Sequence, residues 1–313
     1  MQVASLDRST EGVVLLELRD PGGRPVPSFT PGAHLEVYLP NGLIRHYSLC
    51  NDAAESDRYV LGVGLAANSR GGSLYLHREV RAGDILETSA PRNNFPLVAD
   101  AREYCFIAGG IGITPILSML RWCVRNSRAW QLYDCARSRS RAPLYEALLG
   151  LSRADDRIRF HFDDEHEGRL FDPGPVLESL SATTHVYCCG PGPLMDAVAG
   201  ARGSRPEQLY HFEWFTPARA KAAGDRPFCV VIHSSGQRIE IPSGRSILSI
   251  LEEHGVGVPS SCREGLCGTC ETPVLGGVPD HRDRVLTEEQ KRANRSMMIC
   301  VSRAKSDVIE LDL

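Results

Sequence analysis

Three cysteines crowd one short stretch, Cys262-Arg263-Glu264-Gly265-Leu266-Cys267-Gly268-Thr269-Cys270, and a fourth, Cys300, follows 30 residues later. The spacing C-x4-C-x2-C with one distant partner suits a 2Fe–2S cluster, in which four thiolates hold two irons. Ser261, Gly265, Gly268 and Thr269 are small, so the backbone can fold closely over such a cluster and turn N–H groups toward its sulfurs. The competing reading is a four-cysteine zinc site. Structural zinc usually sits between two short C-x2–4-C knuckles, whereas here one loop supplies three ligands and Cys300 stands alone in Met298-Ile299-Cys300-Val301. A cluster of this kind carries single electrons, and the rest of the chain has to supply them.

Two glycine turns upstream are shaped for a dinucleotide. The apolar run Tyr104–Ala108 leads into Gly109-Gly110-Ile111-Gly112-Ile113-Thr114-Pro115 and then a helix bearing Ile116, Met119, Leu120 and Cys123. A buried strand, a glycine turn and a helix N-terminus aim backbone N–H groups and a helix dipole at a pyrophosphate. Gly110-x-Gly112-x-x-Pro115 matches the variant of this turn found in the ferredoxin–NADP reductase superfamily. The second turn, Cys189-Gly190-Pro191-Gly192-Pro193-Leu194-Met195, follows the strand Thr184–Cys189 and resembles that superfamily's nicotinamide-side motif, which would put Cys189 near the nicotinamide. By residue type alone Cys189 is equally a small buried hydrophobe. No simple acid marks the ribose position. Asp134 is one candidate, and Arg137, Arg139 and Arg141 could accept a 2′-phosphate, so the residues leave NADH and NADPH both open.

Nearer the N-terminus, Arg45-His46-Tyr47-Ser48 carries the R-x-Y-S motif of the same superfamily, and Asn68-Ser69-Arg70-Gly71-Gly72-Ser73-Leu74 resembles its flavin phosphate loop. Arg45 offers a bidentate fork to a phosphate, Tyr47 a face to the ribityl chain, and Ser48 a hydroxyl near flavin N5. Gly71 and Gly72 permit close backbone approach, and Ser73 can donate to the phosphate.

The elements that must position these groups fall into three blocks. From Gly12 to about Val98, strands Val13–Leu18, His34–Leu39 and Tyr59–Val63 alternate with turns at Asp20-Pro21-Gly22-Gly23, Thr30-Pro31-Gly32 and Pro40-Asn41-Gly42, which predicts a small antiparallel β-barrel over 1–98, with Arg45–Leu49 following a strand. Residues 99–215 alternate strands (Tyr104–Ala108, Ala129–Tyr133, Ile158–Phe162, Thr184–Cys189) with helices, one spanning Ala142–Leu151. That is a Rossmann-like parallel α/β domain, closed by His211-Phe212-Glu213-Trp214-Phe215, where Phe215 is a candidate to stack on a flavin with Glu213 nearby. Thr216–Arg226 reads as a linker. In 227–313, the hairpin Phe228–His233 and Gln237–Ile241, a helix over Ile247–Leu251, a short turn or helix at Leu286–Gln290 and a closing strand Val308–Leu311 follow the β-grasp order of plant-type ferredoxins. The expected fold is thus multi-domain, part all-β and part α/β.

Composition narrows the partners. At 313 residues, 24% charged with a formal net charge of −4, the chain has no polyanion-binding signature, so no nucleic acid is expected. Met1–Val14 has no apolar core, and the longest uncharged run, Tyr104–Leu120, falls short of the ~20 residues that span a bilayer, so neither secretion nor a membrane is expected. Of eleven cysteines, four are assigned to the cluster. The rest are scattered, apart from Cys188-Cys189, as in a reduced, cytoplasmic protein.

Over its whole length the chain resembles the phthalate dioxygenase reductase family, which includes the vanillate O-demethylase reductases. The specific stretches are Arg45-His46-Tyr47-Ser48-Leu49-Cys50-Asn51, Val258-Pro259-Ser260-Ser261-Cys262, Asp280-His281-Arg282-Asp283 and Val301-Ser302-Arg303-Ala304-Lys305-Ser306. The resemblance implies FMN, NADH as donor, a monomer, and a separate Rieske-type oxygenase or a small ferredoxin as electron acceptor. It implies FMN contacts from Arg45, Tyr47, Ser48, Val63, Gly71, Gly72, Ser73, Thr114 and Phe215. NAD contacts would come from Gly110, Gly112, Arg137, Ser138, Cys189, Gly190 and Pro191, with Ser48 and Cys189 flanking the hydride transfer. Cys262, Cys267, Cys270 and Cys300 would hold the cluster. Arg263 departs from the family pattern in bringing a positive charge beside the first ligand, and by position the exposed side of the loop, with Arg263, Glu264 and Leu266 between the ligands, is where a partner is expected to dock. Flavin fits between the two ends because it takes a hydride and passes electrons on singly. Two rivals are an FAD-containing NAD(P)H reductase serving another hydroxylase or a hybrid-cluster protein, and a degraded reductase whose last domain is a zinc-stabilised interaction module.

Overall fold

The computed structural model describes residues 1–66, 69–151, 156–218 and 225–313, and divides the chain into two compact units, Met1–Phe215 and Thr216–Leu313. The first unit opens with β1 (Gln2–Asp7), β2 (Val13–Arg19), β3 (His34–Tyr38), β4 (Ile44–Ser48), β5 (Tyr59–Gly64), helix α1 (Gly72–Arg78) and β6 (Glu87–Thr88). Along β2, buried Val14, Leu16 and Leu18 alternate with half-exposed neighbours, the period of a strand with one face in a core. Two antiparallel sheets form, β1-β2-β5 and β4-β3-β6, and bridges Leu49–Leu61 and Gln2–Ile85 join their edges. The six strands surround a core that includes Leu16, Leu35, Val37, Leu61 and Leu76. Two features differ from the sequence reading: Arg45–Ser48 is itself a strand, and the segment after Gly71 turns into a helix. Asn68 of the expected phosphate loop lies outside the described residues.

The same unit continues with β7 (Glu103–Gly109), α2 (Ile113–Arg125), β8 (Ala129–Ala136), α3 (Tyr145–Leu151), β9 (Ile158–Phe162), α4 (Gly174–Ser179), β10 (His185–Gly190), α5 (Gly192–Gly200) and β11 (Tyr210–Trp214). The five strands pair in parallel in the order β11-β10-β7-β8-β9. Central β7 is buried from Tyr104 to Gly109 because helices cover both faces. Phe106, Leu132 and Tyr187 pack toward α2 and α3, while Cys105, Ile107, Val186 and Cys188 pack toward α4 and α5. Helix α3 starts three residues later than expected, since Arg139–Arg141 form a tight 3-10 turn and Leu144 has φ +60°. Strand β5 lies on the first turn of α2: a Cβ at Gly62 would stand 2.5 Å from Thr114 Cγ2. An Arg125–Asp52 ion pair (2.6 Å) and a hydrogen bond from Arg121 Nη1 to the Cys50 carbonyl (3.3 Å) extend that contact.

The second unit contains β12 (Phe228–Ile232), β13 (Arg238–Ile241), α6 (Ile247–Glu253), β14 (Glu271–Gly276), β15 (Pro279–Asp280), α7 (Glu288–Ala293), β16 (Ser296–Met298), β17 (Arg303–Ala304) and β18 (Val308–Leu311). Its sheet runs β13-β12-β18-β14-β16, with β12 and β18 parallel and α6 packed on Val230, Ile239 and Ile309. Of the expected linker, 219–224 fall outside the described residues, and its last two residues are tied to this unit. Arg282 grips the Asp225 carboxylate at 2.6 and 3.3 Å, and buried Arg303 donates to the carbonyls of Arg226 (3.0 Å) and Pro242 (3.1 Å).

Candidate functional site

In β4, Arg45 and Tyr47 share one face while His46 and Ser48 take the other, because side chains alternate along a strand. The Arg45 side chain crosses the start of α1, and a Cβ at Gly72 would lie 2.7 Å from both its Cγ and its Nε. Gly71 has φ +101°, which only glycine adopts readily. Ser69 Oγ accepts from the amides of Gly71 (3.2 Å) and Leu74 (3.3 Å) and from Ser73 Oγ (3.0 Å), fixing the turn. A guanidinium beside side-chain-free backbone at a helix start fits the phosphate end of a flavin mononucleotide. Tyr47 packs partly into the barrel core, where burial raises its phenol pKa. Val63 is wholly buried in that core, so only its backbone is available to a ligand, and its carbonyl meets the His77 ring at 2.9 Å.

The expected reacting end, Ser48 and Cys189, lies where β4 meets the C-terminal ends of β10 and β11. Ser48, 3% exposed, donates through Oγ to Glu213 Oε2 at 3.3 Å. Glu213 stands in register with Cys189 on the neighbouring parallel strand, and Phe215 follows β11, packed partly into the core beneath α2. Burial pushes the Glu213 carboxyl up to about 8, against the opposing pull of the Ser48 hydrogen bond. Burial, and after it the Glu213 charge, holds the Cys189 thiol well above its usual range, so the thiol stays neutral and is not a nucleophile. Thr114 is buried, with Oγ1 donating to the Ile111 carbonyl at 2.8 Å. Sequence reasoning placed Glu213 near Phe215 but gave it no role; its one signal there was the two-residue spacing along a strand.

The two glycine turns interlock. A Cβ at Gly112 would fall 2.1 Å from the Cys189 carbonyl oxygen, and one at Gly109 would fall 2.6 Å from Pro191 Cδ. Gly110 has φ +52°. This close backbone approach fits a pyrophosphate cradle. Arg137 is exposed and Ser138 half-buried at the end of β8, while Arg139 pairs with Glu165 (3.2 Å) and Arg141 with Glu11. Asp134 does not serve a ribose. It is 1% exposed, in register with Ala108 inside the sheet, and neither carboxyl oxygen has a hydrogen-bond partner among the described residues. Burial raises its pKa far above the usual range.

In the second unit the four cysteines come together as two pairs. Cys262 hydrogen-bonds Cys267, and Cys300 hydrogen-bonds Cys270, which lowers Cys267 to about 5, lowers Cys270 and raises their donors. The Glu264 amide donates to Cys262 Sγ at 3.4 Å, and Cys267 Sγ donates to Thr269 Oγ1 at 3.3 Å. Gly265 (φ +70°) lets the loop close, since a Cβ there would meet Val301 Cγ2 at 2.6 Å. Among the described residues, no three ligand side chains converge on a single ion position. Four sulfurs gathered as two pairs suit two irons better than one tetrahedral zinc. Cys270 and Cys300 are buried, Cys262 and Cys267 partly exposed. Asp283, buried behind the loop, accepts from the amides of Val285 (3.1 Å) and Leu286 (2.8 Å), and the amide of Arg284 donates to the Gly265 carbonyl (2.9 Å). The positive charge expected beside the first ligand is compensated, because Glu252 takes Arg263 in a two-pronged ion pair at 2.6 and 3.1 Å.

Stretches of both units match known protein families. Residues 106–200 match the oxidoreductase NAD-binding domain family, and residues 230–305 the 2Fe-2S iron-sulfur cluster binding domain family. The chain is 43% identical over 314 residues to the phthalate 4,5-dioxygenase oxygenase reductase subunit of Pseudomonas putida, covering 100% of this chain and 96% of that protein. Its structure matches phthalate dioxygenase reductase, described as a modular structure for electron transfer from pyridine nucleotides to 2Fe-2S, with a TM-score of 0.73 and 41% identity over 100% of this chain and 97% of that one. It also matches an intact type IV self-sufficient cytochrome P450 monooxygenase, with a TM-score of 0.87 and 34% identity, all of this chain spanning 40% of that longer one. The chain belongs to the phthalate dioxygenase reductase family.

Proposed function

We propose that this protein is the reductase component of an oxygenase system. It takes electrons from NADH through a bound flavin, which we assign as FMN, to a 2Fe–2S cluster on Cys262, Cys267, Cys270 and Cys300, and hands them to a separate Rieske-type oxygenase. The observation that carries this reading is the junction of Ser48, Glu213 and Cys189 in one unit, with two cysteine pairs in the other. Arg45 with Gly71, Gly72 and Ser73 would hold the flavin phosphate, Tyr47 its chain, Thr114 and Phe215 its ring, and Val63 the strand behind it. Gly110, Gly112, Gly190 and Pro191 would hold the dinucleotide, Arg137 and Ser138 its adenosine end, and Cys189 would set the nicotinamide against the flavin edge at Ser48. Flavin, when bound, accepts a hydride and releases electrons singly. The chain's own part is to orient the two rings, hold the Ser48–Glu213 hydrogen bond at their edge, and keep Cys189 neutral. Among the described residues no helix is long and apolar enough to cross a membrane. We also propose, as the family resemblance suggests, a cytoplasmic monomer.

Heat release of the flavin and chromatography against FMN and FAD standards tests the cofactor. Cys267→Ser tests the exit: NADH-driven reduction of cytochrome c should collapse while ferricyanide reduction persists. Unchanged cytochrome c reduction would refute electron exit through the cluster.

A further inference from the structure

The face of β3 and β4 that carries Ser48 is lined with groups that can bear protons. His34 and Glu36 alternate along β3, and Ser48 and His46 stand directly opposite them on β4. Directly opposed residues of an antiparallel pair share a face, with Cβ atoms about 5 Å apart. His34 is 5% and Glu36 2% exposed, and an apolar pair would pack there without the penalty of burying polar groups. His34 makes no hydrogen bond to either neighbour in the row, so a proton would pass through it only as its ring and the Ser48 hydroxyl turn. The rings of His34 and His46 lie 5.1 Å apart, tilted by 43°. His46 Nε2 is 3.9 Å from Glu36 Oε1, and Glu36 also accepts from Tyr38 (2.8 Å) and Arg92 (3.0 Å). The His46 side chain keeps 20% of its surface open to solvent, and that of Arg92 50%. At the inner end, Ser48 is the hydrogen-bond donor to the Glu213 carboxyl.

We propose that this row carries protons between the buried flavin edge and water, from Ser48 Oγ to His34, from His34 to His46 and from His46 to solvent, with Glu36 and Arg92 fixing the outer ring. The proposal rests on the flavin edge lying at Ser48, as proposed above. The balance requires such a path. NADH gives NAD⁺, two electrons and one proton; two one-electron acceptors take the electrons, so one proton per NADH must reach water. With ferricyanide, NADH and two ferricyanides give NAD⁺, two ferrocyanides and one proton. The Ser48 hydroxyl, which donates to Glu213 in this structure, must turn to His34 to give up its own proton as it receives another on a lone pair. Each imidazole then receives on one ring nitrogen and gives from the other. Burial, then the neighbouring His46, lowers His34 to about 4, with Glu36 opposing and Arg92 adding to the shift. His34 therefore passes a proton on without storing it.

The test uses full-length protein loaded with flavin and cluster, mixed with NADH and ferricyanide in weak buffer containing a pH indicator. His46→Ala should leave single-turnover hydride transfer unchanged but slow steady turnover and proton release by about tenfold or more, with an enlarged solvent isotope effect. Added imidazole should restore both, and His34→Gln should be slowed without rescue. Independently of turnover, nitrogen NMR of the oxidised protein should show the His34 midpoint rising when His46 is removed. Wild-type turnover and isotope effect in both variants overturn the relay, as does slow turnover in His46→Ala that imidazole cannot rescue. Ser48→Ala with unimpaired hydride transfer refutes the flavin placement instead, whatever the histidines do.

Discussion

Glu213 ties the stability of this protein to pH in a direction that can be worked out. Burial raises its carboxyl from 4.5 to about 8 in the folded chain. Below the unfolded value both states hold the proton, and the stability it contributes is complete. Above about pH 4.5 the unfolded chain gives the proton up while the folded chain keeps it, so stability falls until the folded group ionises near pH 8. At about 1.4 kcal/mol per pH unit the full interval amounts to about 5 kcal/mol, an upper bound. Part of the Glu213 side chain remains open at the surface of the site, so about half of this, roughly 2–3 kcal/mol, is expected. Glu213→Gln keeps an acceptor for Ser48 and cannot ionise. Urea melts of both proteins at intervals from about pH 5 to about pH 8 isolate the residue, because every other titrating group is common to the pair. The glutamine variant should gain on wild type by roughly 2–3 kcal/mol across that range. Parallel stability curves would refute a buried, proton-holding Glu213.

Three further outcomes follow from particular contacts. Gly112→Ala places a methyl 2.1 Å from the Cys189 carbonyl oxygen; neither backbone can yield, so a loss of roughly 3 kcal/mol or more in urea melts, with weakened NADH binding, is expected. Gly72→Ala meets only the movable Arg45 side chain, so stability should fall by about 1 kcal/mol or less while flavin affinity, read by fluorescence titration, drops about tenfold through the displaced guanidinium. Asp134→Val removes a buried carboxyl with no partner and should stabilise by roughly 1–3 kcal/mol, visible as a higher Tm with NADH-ferricyanide activity intact; destabilisation would mean that the carboxyl is satisfied.

The groups legible in the sequence were those whose chemistry is fixed by local spacing. Three cysteines within nine residues and two glycine turns declare themselves because ligand geometry and phosphate approach are set over a few bonds. Whatever depended on a distant partner was hidden. Arg45–Ser48 was expected to follow a strand, yet its pairing with His34–Tyr38 makes it one, since alternation is weak where both faces are half-buried. The first strand, Gln2–Asp7, carries mixed burial and was not foreseen, and its partner β2 draws it into the sheet. Asp134 looked like a ribose acid from its place at a strand end; register with Ala108 turns it into the core. Arg263 looked like a bare charge until α6 brought Glu252 beside it.

The pairing of the cluster cysteines also bears on how the protein ages. With iron gone, Cys262 and Cys267 are left hydrogen-bonded to each other and partly open to solvent, while Cys270 and Cys300 are shielded. Oxidants in solution reach the partly exposed pair first. Air should therefore close the outer pair into a disulfide before it reaches the inner one. Stored, iron-depleted preparations should refuse reconstitution until a thiol reductant reopens that single bond.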